Sequence, residues 1–150
     1  MNAPAKFVLA VITYALLAAC NVSAVETITE EKHISFETLW RNNYGGYTEE
    51  GNFVIKSAAD WKDAWDAMPN DINFAEQMLI AVLMGQRNTG GYAVEIVTIV
   101  EKPARLEVSV KYITPRKGAL VTQALTQPHH IIKLKRTDKA IMFINHINPE

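Results

Sequence analysis

The residues best suited to acid–base or metal chemistry are four histidines, His33, His129, His130 and His146. His129 and His130 are adjacent. On a strand, neighbours point to opposite faces, so a single ion does not take both. No HExxH or Cys/His spacing is present. Asp60, Asp63 and Asp66 lie within one helical stretch with Lys62 among them, the pattern of a solvated face. The serines show no Gly-x-Ser-x-Gly elbow. The glycines Gly85, Gly90 and Gly91 lack the lysine of a phosphate-cradling loop. These absences predict a chain with no catalytic residues, no metal site and no cofactor.

What remains is binding chemistry. Gly85-Gln86-Arg87-Asn88-Thr89-Gly90-Gly91 separates two apolar runs, Met78–Met84 and Tyr92–Val100. Adjacent glycines permit positive φ or a close backbone approach. On one reading the loop is turn chemistry alone. On the other it presents Arg87, Asn88, Thr89, Gly90, Gly91 and Tyr92 to a partner, since loops on rigid scaffolds commonly carry binding residues. Arg116 and Lys117, in the basic stretch Pro115–Gly118, either solvate a loop or join Arg87 in a small cationic patch.

The remaining reactive group is Cys20, the one cysteine of the chain. It follows a weakly basic start with Lys6 and an apolar run, Phe7–Leu17. That run is short against the about 20 residues a membrane-spanning helix needs. Leu17-Ala18-Ala19-Cys20 resembles the lipobox of bacterial lipoproteins, in which the thiol takes a diacylglyceryl group. The expected layout is a signal peptide over 1–19, a lipidated Cys20 with a polar tether over 20–32, and a domain over 33–150. Val22-Ser23-Ala24 offers the alternative of ordinary cleavage and a secreted or periplasmic soluble protein. Asn21 lacks the aspartate read as inner-membrane retention, which favours the outer membrane facing the periplasm. Removing Lys6 takes the 15 basic residues to 14 against 16 acidic ones, net −2. That charge balance is no footprint for nucleic acid.

These residues need a scaffold, and the pattern is mostly β. Met78–Met84 is apolar throughout, as a strand buried on both faces requires. Tyr92–Val100 is rich in Val, Ile and Thr. Leu106–Ile113 alternates, with Leu106, Val108, Val110 and Tyr112 facing in. His33–Trp40 alternates too, with Ile34, Phe36, Thr38 and Trp40 on one face. Phe53–Lys56 and Ala119–Ala124 read as short strands. His130–Arg136 and Ala140–Asn145 read as a hairpin around Thr137–Lys139. One helix is predicted: Ser57 caps it, Asp60 supports its first turn, and Trp61, Ala64, Trp65 and Met68 form its apolar stripe. The expected fold is mainly β (α+β), an antiparallel sandwich or partly open barrel of about seven strands with one packed helix.

The order of these features resembles a known family. Val54-Ile55-Lys56-Ser57 precedes Trp61 and Trp65. Asn73-Phe74 precedes the apolar run, and Thr89-Gly90-Gly91-Tyr92 follows it. Pro115…Gly118, Val121-Thr122-Gln123-Ala124, Thr126 and Pro128 complete the set. The chain is similar, over about Phe53 to Phe143, to the C-terminal domain of the PrcB family of protease complex subunits. That resemblance implies a non-catalytic accessory domain that binds or stabilises another extracytoplasmic protein, a protease among the candidates. A peptidase inhibitor presenting the TGGY loop is the first alternative. A small-ligand binder or an enzyme without a recognisable motif is the second.

Overall fold

The computed structural model describes residues 31–45, 48–62 and 71–149. The predicted signal segment, Cys20 and most of the tether lie outside the described residues. So do Ala64, Trp65 and Met68 of the predicted helical stripe.

Among the described residues eight strands and one short helix follow in order: β1 (Lys32–His33), β2 (Glu37–Asn42), β3 (Glu50–Ile55), α1 (Ala58–Lys62), β4 (Gln77–Met84), β5 (Ala93–Glu101), β6 (Arg105–Thr114), β7 (His129–Lys135) and β8 (Ala140–Pro149). They form two four-stranded sheets, one ordered β1-β5-β6-β8 and the other β2-β7-β4-β3. The fold is therefore a sandwich and no closed barrel. Every pairing is antiparallel except β6 with β8, which is parallel.

The two faces of β4 explain its uniformly apolar sequence. Met78, Ile80, Val82 and Met84 join the core between the sheets, with Val94, Ile96, Ile99, Leu106, Val108, Val110, Ile132 and Leu134. Leu79, Ala81 and Leu83 face the other way, into a second cluster with Ile55, Ile131 and Trp61. The centre of the second sheet, β4 and β7, is thus buried on both sides. β6 shows the predicted alternation, with Leu106, Val108 and Val110 buried between partly exposed neighbours.

The helix begins as its residue types dictate. The Asp60 amide donates to Ser57 Oγ (3.2 Å), and the Asp60 carboxylate accepts the Lys56 amide (2.8 Å). The Lys56 amide first, and the Ser57 side chain next, hold the Asp60 carboxyl below its usual range. Trp61 is 1 % exposed and packs its ring 5.8 Å from that of Trp40, tilted by 44°.

Three expectations fail, each for a local reason. His33–Trp40 is not one strand. It splits at Ile34–Phe36, where the chain crosses from the first sheet to the second, and both of those side chains pack on the inter-sheet core. A bulge between Thr38 and Trp40 then puts the extra residue Leu39 into β2 and turns Trp40 toward the outer cluster, away from the face of Thr38. Ala119–Ala124 is not a strand. It belongs to an irregular crossing, and Leu120 is fully exposed. β7 and β8 are not a hairpin, because they lie in different sheets. The turn between them is held by backbone acceptors. Arg136 Nη1 donates to the Lys56 and Phe74 carbonyls (2.7 and 2.8 Å), and Lys139 Nζ donates to Glu101 and to the Lys102 carbonyl (2.8 and 2.9 Å).

Candidate binding surface at one end of the sandwich

β4 lies in the second sheet and β5 in the first, so residues 85–92 are a crossing between sheets and not a hairpin turn. Gly85 begins it at φ +70°, and an added Cβ there would lie 3.1 Å from the Glu50 amide nitrogen and the Thr48 carbonyl oxygen. Gly91 ends it at φ +83°, where a Cβ would come within 2.8 Å of Val121 and 3.0 Å of Pro115. Both positions favour glycine on conformational grounds, and Gly91 also on steric ones.

A second crossing, residues 115–128 between β6 and β7, lies across the first. Arg87 and Thr126 exchange backbone hydrogen bonds at 2.8 and 2.9 Å. The Gly90 amide donates to the Thr122 carbonyl (2.9 Å), and Thr126 Oγ1 donates to the Thr89 carbonyl (2.9 Å). Thr126 is buried, an unusual place for a threonine, and its hydroxyl is satisfied by that bond. Two long connections thereby share one hydrogen-bonded frame, which stands in for the strand expected at Ala119–Ala124.

The sequence-nominated residues divide within this frame. Arg87 is occupied inside the molecule. Its guanidinium donates to Glu50 (2.8 Å) and sits 5.8 Å above the Tyr92 ring, which packs on the core. Thr89 and Gly90 are held against Thr126 and Thr122. Asn88 and Gly91 are exposed. Arg116 and Lys117 are exposed at a turn closed by the Ala119 amide on the Arg116 carbonyl (3.0 Å), with Gly118 at φ +83°. Pro115 touches the Gly91 position, so the basic turn adjoins the twin-glycine loop. Arg87 does not join Arg116 and Lys117 as a free cation, because Glu50 takes its charge.

Sequence reasoning missed the apolar part of this surface. Leu120 is fully exposed, and Leu125 and Tyr44 are both more than half exposed. All three stand on connections at this end, where β2 and β4 finish and β7 begins. The Gln127 amide donates to the Asn43 carbonyl (2.7 Å), tying the Tyr44 segment to the same frame. The sequence pattern predicts a strand over Ala119–Ala124 and does not single out Leu120 within it.

The histidines do different work. His129 and His130 point to opposite faces, as adjacent strand residues must. His129 lies against Gly45, where a Cβ would meet its ring at 2.5 Å. His130 faces the inter-sheet core: Nδ1 accepts the Ile96 amide (2.8 Å) and Nε2 lies 2.9 Å from Thr38 Oγ1. The Ile96 amide adjoins a bulge in β5, so His130 supplies an acceptor where the ladder is irregular. Burial pushes the imidazole pKa down to about 4, and Arg41 adds to the effect. Among the described residues no group of three His, Cys, Asp or Glu side chains is placed to hold a metal ion.

At the opposite end, a groove of about 930 Å³ runs between the start of β2 and the end of β7. Of its cations, Lys133 pairs with Glu37 (2.9 Å) and Arg136 is bound to carbonyls, while Lys135 is exposed. Among the described residues no helix is long and apolar enough to cross a membrane.

Residues 78–135, from the start of β4 to the end of β7, match the family model described as PrcB C-terminal. No curated protein matches the chain, and no solved structure does. The matched span contains both crossings of the loop frame.

Proposed function

We propose that this chain, whose residues 78–135 belong to the PrcB C-terminal family, is a non-catalytic, lipid-anchored cell-envelope protein. Its loop frame binds another extracytoplasmic protein, with an accessory role in a protease complex as the finer reading. The observation that carries the proposal is the exposure of Leu120 and Leu125 on a crossing whose backbone is fixed to the twin-glycine loop. A scattered surface leucine needs no explanation. Two leucines and Tyr44 stand on connections tied by backbone hydrogen bonds to the loop that carries Asn88 and the turn that carries Arg116 and Lys117, which supplies both apolar and polar groups for recognition.

The arrangement does not favour peptidase inhibition through the TGGY loop. Thr89 and Gly90 are covered by the second crossing, which leaves little of that loop free to enter a cleft. The test is crosslinking in the producing cell with Leu120→Asp/Leu125→Asp against the wild type. The expected result is an unchanged melting temperature and loss of the captured partner. An unchanged partner profile rejects this surface as the interface.

A further inference from the structure

Four strands lie at sheet edges: β1 and β8 in the first sheet, β2 and β3 in the second. Natural edge strands are protected by being short, charged or bulged. β1 has two residues and a lysine, β2 carries Glu37, Arg41 and a bulge, and β3 carries Glu50. β8 has none of these, and its one edge-blunting residue is Pro149 at the very end. It runs ten residues in unbroken register with β6, and AIMFINHINP contains no Asp, Glu, Lys or Arg. The other strand without charge is β4, which is paired on both sides. β8 is composed like an interior strand, yet among the described residues nothing pairs with its outer edge.

We propose that the open edge of β8 pairs antiparallel with β8 of a second copy, joining two first sheets into one continuous sheet across a two-fold axis. Strand chemistry sets the register. Directly opposed residues in an antiparallel pair must share a face. Ile141 and Phe143 face the core, so the odd-numbered residues of β8 point inward and the even-numbered ones outward. A two-fold centred on Ile144 satisfies this rule. It sets Ile147, 72 % exposed, beside the partner copy's Ile141, and Met142, 47 % exposed, beside the partner copy's His146. No charge meets a like charge, which few strands achieve against themselves. β1, the leading strand, holds the far edge of the same sheet, three strand spacings or about 14 Å away.

The test uses the protein as the cell produces it, in sedimentation and in amide hydrogen exchange. Wild type sediments as a dimer, and the β8 amides that point away from β6 exchange slowly. Ile144→Lys and Ile144→Glu each place like charges face to face at the axis, on the outer face beside Ser109. Each variant weakens self-association by about tenfold or more while keeping the far-ultraviolet circular dichroism of the wild-type fold. Mixing the two variants restores a heterodimer. A monomeric wild type overturns the proposal: protected β8 amides then assign the edge to the chain's own segment, and unprotected ones leave it for a different protein. Variants that remain dimeric, or a mixture that stays monomeric, also overturn it. None of these results bears on the loop frame, which is tested separately by its leucines.

Discussion

His130 concentrates the coupling between the two sheets in one side chain. It stands on β7 of the second sheet, yet its Nδ1 caps an amide of β5 in the first. Acceptance at Nδ1 requires the neutral ring with its proton on Nε2, so protonation at Nδ1 breaks the tie. The folded-state pKa of about 4 lies below the 6.5 of an ordinary imidazole. Between those values the unfolded chain binds the proton and the folded one does not, so stability falls as pH drops. The contribution is fully present above pH 6.5 and is lost down to about pH 4; it amounts to about 3 kcal/mol. Urea titrations from pH 7 to 4 measure it. His130→Asn, which keeps an acceptor near Nδ1 but does not titrate, flattens that part of the profile. Gly91 is the other residue under strict demand. Gly91→Ala combines positive φ with a 2.8 Å approach to Val121 and destabilises by about 1 kcal/mol or more. Arg87→Ala removes a side chain that is engaged within the molecule. It loses the Glu50 ion pair and the Tyr92 contact, so it lowers the melting temperature slightly and is no clean probe of binding.

At the scale of elements, what was legible and what was not divide by the range of the cause. β4, β5, β6 and the start of α1 follow from residue types within a few positions: an unbroken apolar run, β-branched residues, strict alternation, and Ser57 with Asp60. Trp61→Ala follows from the same local pattern together with its observed burial, and it costs about 3–5 kcal/mol in chemical denaturation. The misread elements depend on distant partners. β7 and β8 look like a hairpin because a short polar turn joins them. The acceptors that carry Arg136–Lys139 across the sandwich, the Lys56, Phe74 and Lys102 carbonyls, cannot be seen from that turn. Arg136→Ala, leaving the Lys56 and Phe74 carbonyls without their charged donor, lowers the melting temperature more than alanine at exposed Arg116 does. The exposed leucines were illegible for a related reason. Val121-Thr122-Gln123 has the composition of a strand, but its backbone is spent on the Gly90 loop instead of a ladder.

For the whole molecule, the direction of the strands fixes where an N-terminal tether leaves the domain. β5 runs from the twin-glycine loop to Glu101, and β1 pairs antiparallel with its last two residues. The chain therefore enters at the end that holds the open groove, opposite the loop frame. A nine-residue strand separates the two ends by about 30 Å. Anchoring through Cys20 would then hold Leu120, Leu125 and Asn88 away from the membrane, the orientation a recognition surface requires. Two measurements check this proposal together. Cys20→Ala moves the protein from the membrane fraction to the soluble or unprocessed pool. A thiol introduced by Asn88→Cys reacts with a bulky maleimide as fast on the membrane-bound protein as on the soluble domain, whereas one introduced by Asp138→Cys, at the tether end, is slowed by the bilayer. Equal rates at both positions would separate anchoring from orientation. Unchanged fractionation of Cys20→Ala with cleavage after Ala24 would remove the anchor itself and leave the loop frame to act in a freely diffusing protein.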